Sequence, residues 1–136
     1  MFIEWSEDLA VHHDQIDAEH RYLIGIINEL HDAIADGRGR EVVADTLAKL
    51  ADYTIWHFSR EEQIMRRVGY PHLDEHVAQH GALIDELGKR AWELEVGEDA
   101  VTERTMTFLK DWIYAHLRTD DKDLVNYISR SVRPAA

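Results

Sequence analysis

The 136-residue chain has no cysteine, only two prolines and little basic charge: 15 Lys and Arg stand against 27 Asp and Glu, a formal net charge of −12. Without thiols there can be no disulfides, cysteine nucleophile, iron–sulfur cluster or Cys-type zinc site. A net negative charge of this size repels phosphate backbones and anionic lipid surfaces, which argues against nucleic-acid and membrane partners. No apolar run approaches the ~20 residues needed to cross a bilayer. The opening MFIEWSEDLA is acidic and lacks the basic stretch of a signal peptide, so a soluble cytoplasmic protein is expected. No segment alternates with period two for long enough to suggest a sheet. What the chain does have is nine histidines beside those carboxylates. Its available chemistry is that of nitrogen and oxygen donors.

Glycines and the first proline divide the chain into periodic segments. Ile16, Leu23, Ile27, Leu30 and Ile34 recur at helical spacing over about Ile16–Asp36. Val43, Leu47, Leu50, Ile64 and Val68 mark a second helix over about Arg40–Val68. Pro71 suits the first turn of a third, carried through Leu73, Val77, Ile84, Leu87 and Leu94 to Gly97. A fourth spans about Asp99–Leu117, with Val101, Leu109 and Ile113 inside, and a short fifth covers about Asp121–Arg130. Short connections make sequential helices antiparallel neighbours. The expectation is an all-α single domain over 1–136: an N-terminal arm (1–15), an up-down-up-down four-helix bundle (16–117), and a short C-terminal helix with a tail (118–136). Phe2, Ile3, Trp5 and Leu9 are apolar enough to dock the arm on the bundle.

The apolar stripes are interrupted by polar residues. His57 and Glu61 occupy core positions of the second helix, His76 and His80 those of the third, His116 continues the fourth, and His20 shares a face with Leu23, Ile24 and Ile27. A buried polar group costs about 1–3 kcal/mol unless it finds a partner. One such histidine is most simply a hydrogen-bonded core residue. The whole set, however, falls at one end of an up-down-up-down bundle: starts of the first and third helices, ends of the second and fourth. Five histidines and at least two carboxylates exceed the donors one ion takes, so two metals bridged by carboxylates are expected. Imidazole-rich, thiol-free coordination favours iron, with manganese or zinc behind it. A zinc-protease motif is absent because Val77 follows His76, and Glu-x-x-His, which ferritin-like di-iron bundles use twice, does not occur. By helical geometry, Asp120 is the better partner for His116, being four residues away.

The series His20, HFSRE (His57–Glu61), HVAQH (His76–His80) and HLRTDD (His116–Asp121), with QIDAEH leading into the first ligand, His20, and YP after the second pair, resembles the hemerythrin family, and in a chain this short its bacterial branch, the bacteriohemerythrins. The likeness covers roughly residues 5–125. It implies a four-helix bundle with a non-haem di-iron centre, two Fe ions joined by an oxo or hydroxo group. By the same resemblance His76, His80 and His116 would hold one iron and His20 and His57 the other, with Glu61 and Asp121 bridging. The family motif selects Asp121 over Asp120, a reach that a loosened helix end would allow. The resemblance also implies reversible O2 binding in a dry pocket at the two-histidine iron, for storage, delivery or scavenging, and Leu23, Ile24, Phe58, Trp112 and Ile113 are the candidate lining. This is binding and not enzymatic turnover. The alternatives are an oxygen or redox sensor signalling through a partner, a peroxide- or nitric-oxide-consuming di-iron enzyme, and a metal buffer. O2 is the expected ligand, nothing demands more than a monomer, and the physiological oxygen acceptor is not legible. Of the other histidines, His12, His13 and His72 are expected at the surface, and His31 at the far end of the bundle. Glu62 is expected to be solvated, and Trp56, Trp92, Met65 and Met106 to serve packing.

Overall fold

The computed structural model describes residues 2–97 and 101–131. The expected start of the fourth helix near Asp99 and the tail 132–136 lie outside the described residues. A 3-10 turn at Glu7–Leu9 precedes five α-helices: α1 (Asp14–Ala35), α2 (Arg40–Val68), α3 (Leu73–Glu95), α4 (Glu103–Ala115) and α5 (Lys122–Ser131). A π-helical turn, His116–Asp121, joins α4 to α5 without a break. The boundary expected at 117/118 therefore falls inside a continuous helical rod. Helices α1 to α4 form an antiparallel four-helix bundle. No strand occurs among the described residues, and no helix there is long and apolar enough to cross a membrane.

Local signals explain the helix ends. At the end of α2, Gly69 takes a left-handed φ of 65°, its N–H bonding the Arg66 carbonyl while the Tyr70 N–H bonds that of Met65. This is a Schellman motif, and the Met65–Tyr70 contact supplies its apolar component. Pro71 lies in the turn ahead of α3, not in its first turn as expected, since the Schellman motif consumes the residues up to Tyr70. Thr102 caps α4 through a reciprocal bond pair with Thr105. His13, expected at the surface, is half-buried and caps α1: its Nδ1 accepts the Ile16 N–H at 3.2 Å. His12 is exposed with φ 63°, and its N–H bonds Asp17.

The core is continuous from Ile3 and Leu9 in the arm through Leu23, Ile27, Leu30, Leu47, Leu50, Leu87 and Leu109. Two stripes are rotated from expectation. In α2, Met65 is fully buried while Ile64 is half-buried, and in α3 Leu83 is buried where Ile84 was expected. In each helix the buried residue continues the polar set at helical spacing, Glu61 to Met65 and His80 to Leu83, so the polar residues define the inward face. Met106 is core as expected, but Trp56 and Trp92 are 49% and 63% exposed, so neither is a core residue.

The arm is docked by backbone pairing with one side chain. Asn28 Oδ1 accepts the Ile3 N–H at 2.8 Å and Nδ2 donates to the Ile3 carbonyl at 2.9 Å. Arg118 in the π turn forms an ion pair with Asp8 at 2.6 Å. Asn28→Ala is expected to lower stability by about 1–3 kcal/mol, the cost of stranding buried peptide groups. It should also make residues 2–11 sensitive to limited proteolysis, while Asp8→Asn, touching an exposed pair, should do neither.

Candidate metal centre

Each end of the bundle receives two helix starts and two helix ends. The end carrying the α2–α3 turn holds all seven polar residues singled out from the sequence. His20 enters from the first turns of α1, His57 and Glu61 from late α2, His76 and His80 from early α3, and His116 and Asp121 from the π turn. None is more than 3% exposed. In an α-helix residues five apart lie on different faces, whereas a π turn returns to the same face after about five. The π turn thus brings Asp121 under His116 and leaves Asp120 on the outer side. The loosened helix end that Asp121 requires takes this form.

The seven side chains meet around two oxygen pairs. Asp121 Oδ2 is 2.9 Å from His20 Nε2, and its Oδ1 is 3.0 Å from His76 Nε2 and 3.1 Å from His116 Nε2. Glu61 Oε1 is 3.3 Å from His80 Nε2 and 3.5 Å from His57 Nε2. These contacts are short, yet both oxygens of each carboxylate and Nε2 of His20, His57 and His76 lack an aligned hydrogen-bond partner. Two overlapping groups have donor atoms close enough to share an ion: Glu61, His76, His80, His116 and Asp121, and His20, His57, Glu61 and Asp121. Glu61 and Asp121 belong to both. Buried, unpaired donors converging on common points are what a pair of cations needs, so the residues fit two bridged metal ions.

The outward ring nitrogens are held by carboxylates. Glu19 lies 2.7 Å from His57 Nδ1 and takes a bond from Arg60 at 3.1 Å. Glu62 lies 3.0 Å from His80 Nδ1, and Asp120 3.2 Å from His116 Nδ1. Such partners fix the tautomer that turns the Nε2 lone pair inward. Glu62 is therefore not simply solvated, as expected from its neighbour's direction: its side chain is 19% exposed and engaged. The sequence reading missed Glu19, Arg60, Glu62 and Asp120 in this role. Their only signal was a carboxylate within reach of a ligand-like histidine, which an acidic chain offers everywhere.

Charges at the centre follow from burial and crowding. Burial, then the charge of Asp121, pushes the Glu61 carboxyl well above the ordinary range. Burial would raise Asp121 too, but His116 and the imidazoles of His20 and His76 outweigh it and hold Asp121 well below. Burial and the neighbouring His116 and His76 take His80 down to about 2, whereas for His116 the nearby Asp121 and Asp120 overcome burial and lift it to about 9.

The five candidate lining residues are all at least half-buried. Leu23, Ile24, Phe58 and Ile113 are buried and Trp112 is half-buried. Phe58 stacks on His80 at 3.7 Å and Trp112 on His116 at 4.6 Å, so the aromatic pair walls the three-histidine group. Leu23 and Ile24 follow His20 on α1. Of the remaining histidines, His72 is exposed and paired with Glu75, and His31 stacks on Phe2 at the opposite end.

The model of the Hemerythrin HHE cation binding domain matches residues 11–128. The chain belongs to the hemerythrin family. Among its hemerythrin relatives, a bacteriohemerythrin of Stenotrophomonas maltophilia is 33% identical over 118 residues, 87% of this chain and 76% of the relative. A myohemerythrin of Theromyzon tessulatum is 29% identical, covering 87% of each chain. The crystal structure of a wild-type hemerythrin superposes with a TM-score of 0.89 at 28% identity, over 95% of this chain and 99% of that one.

Two outcomes test this centre. With His116 lifted to about 9, the metal-free cluster carries a proton at pH 7 that must leave before the nitrogen can bind an ion. Divalent-metal loading at pH 7 should therefore release protons, and affinity should rise with pH until His116 is deprotonated. Calorimetry in two buffers of different ionisation enthalpy reads this directly, and loading without proton release would contradict it. Asp121→Ala should abolish two-ion binding, whereas Asp120→Asn should keep the stoichiometry and weaken affinity about 10–100-fold.

Proposed function

We propose that this protein binds O2 reversibly at two non-haem iron ions, as the family resemblance implies, and stores, delivers or scavenges oxygen. The observation that carries this reading is the asymmetry of the two donor groups. Both share Glu61 and Asp121, but one adds three histidines and the other only two. With a bridging oxo or hydroxo group the first group would supply six ligands and the second five, so an octahedral ion in the second group would keep one position free for a small ligand. On this reading His76, His80 and His116 hold one ion, His20 and His57 hold the other, and Glu61 and Asp121 bridge them. The ferrous pair would supply the two electrons that reversible O2 binding borrows and returns.

The protein's own part is to hold and shield. Glu19, Glu62 and Asp120 fix three imidazoles so that no ring must reorient when the ligand arrives. Leu23, Ile24 and Ile113 keep water from the two-histidine side, and Phe58 and Trp112 immobilise the opposite side by stacking. Dryness matters because a buried charge is stabilised by water that gains access to it, which favours oxidised iron over release of O2. The reading is of a binding protein without turnover, acting as a monomer in the cytoplasm.

Protein purified without oxygen should contain about two irons per chain and show a visible absorption change that appears in air and disappears on degassing over repeated cycles. A single bound zinc, or a colour lost irreversibly on first exposure, would sink the proposal. His57→Ala and Glu61→Ala should each lose iron and lower the melting temperature relative to the loaded protein. Equal melting of loaded and iron-free wild type would contradict the link between metal and fold.

A further inference from the structure

Seven donors no more than 3% exposed cannot be reached by an ion from solvent without a path. One polar cavity, of about 170 Å3, lies between the α2–α3 turn, the first turns of α3 and the junction of the π turn with α5. Its inner wall is the ring of His76, whose Nε2 is 3.0 Å from Asp121 and without a hydrogen-bond partner. Next outward are Gln79 and Asp120, bonded to each other at 3.3 Å, with Gln79 Oε1 buried and unpartnered. The rim carries Glu75, Asp123 and His72, and His72 Nδ1 lies 3.2 Å from Glu75.

We propose that this cavity is the entry port for the metal ions of the centre, an inference that rests on the metal-binding part of the reading above and not on O2. Three features carry it. Glu75, Asp120 and Asp123 face the cavity and no Lys or Arg lines it, so its field draws cations in. It has room for an ion that still carries waters. The polar groups are graded from hard to mixed: carboxylates at the rim, an amide oxygen and Asp120 in the throat, then the His76 imidazole. An ion can shed its waters one by one against oxygen donors before it meets nitrogen. The port is a passage and not a store. Among the described residues, the donor groups tight enough to hold an ion are the two of the centre.

The test follows uptake of cobalt(II), whose visible bands report binding, by metal-free full-length protein in stopped flow. The double variant Glu75→Gln/Asp123→Asn should load at least about tenfold more slowly, the lower end of what a focused field contributes to an on-rate. It should reach the same two-ion end point, and the difference should shrink in high salt. Glu41→Gln/Glu95→Gln removes the same charge from exposed positions at the opposite end and should load at the wild-type rate. Wild-type kinetics in the first variant, equal slowing in both, or a reduced end point in the first would each overturn the port, the last by making the rim residues ligands. Wild-type protein that takes up no cobalt would instead overturn the metal centre itself.

Discussion

Everything else in this structure is organised around a core that contains charge. At one end of the bundle, eight buried side-chain atoms of His20, His57, Glu61, His76 and Asp121 have no hydrogen-bond partner. At about 1–3 kcal/mol each, such atoms cost on the order of 10 kcal/mol, comparable with the entire net stability of a domain. The apolar half of the bundle, from Leu30 and Leu47 to Leu94, must carry the metal-free fold against that penalty. Coordination converts the same atoms from a cost into bonds, and structural metal sites typically contribute stabilisation of that size. Metal binding at the polar end of the bundle would therefore add to the stability of the fold.

The architecture serves that end by division of labour among its elements. The Schellman turn at Gly69 sets α3 against α2 so that HFSRE and HVAQH face each other. The π turn corrects the register of the last two donors. The arm lies against that turn from outside, where Asp8 and Arg118 meet in an exposed pair. These are local devices of a few residues each, and none depends on the surface charge of the chain.

Much of this was legible in the sequence, for a definite reason. Helical periodicity reports which residues share a face, and a histidine or glutamate on an apolar face is visible against Leu and Ile. Antiparallel connectivity then places faces at common ends, which is how His20, His57, His76 and His116 group together. Contacts between elements are different. Nothing in the spacing of Glu19 tells that it will meet His57 and Arg60 from another helix, or that Glu62 turns toward His80 on α3. Alpha-helical geometry favoured Asp120 over Asp121, because it assumes an α-helix where the chain forms a π turn. The same limit explains the misplaced Ile64 and Ile84: once polar residues fix the inward face, apolar neighbours one position away lose their claim to it. His13, read as a surface residue, caps a helix because its Nδ1 meets a free N–H three residues on.

The outer carboxylates also settle an electrostatic problem that the bridging pair leaves open. Two divalent ions would bring four positive charges into a dry core, and Glu61 and Asp121 would supply only two negative ones. Neutral imidazoles add none. Glu19, Glu62 and Asp120 contribute three more through the rings they hold, and Arg60, bound to Glu19, returns one positive charge, so the side chains alone would offset two divalent ions before the charge of any bridging oxo or hydroxo group is added. Arg66 reaches Glu62 only at 3.9 Å from an exposed position and perturbs this little. An uncompensated pair of charges in such a core would cost several kcal/mol per ion even after relaxation. The hydrogen bonds that orient the imidazoles are thus the same interactions that balance the buried charge. A carboxamide in place of Glu19, Glu62 or Asp120 would preserve the first role and lose the second.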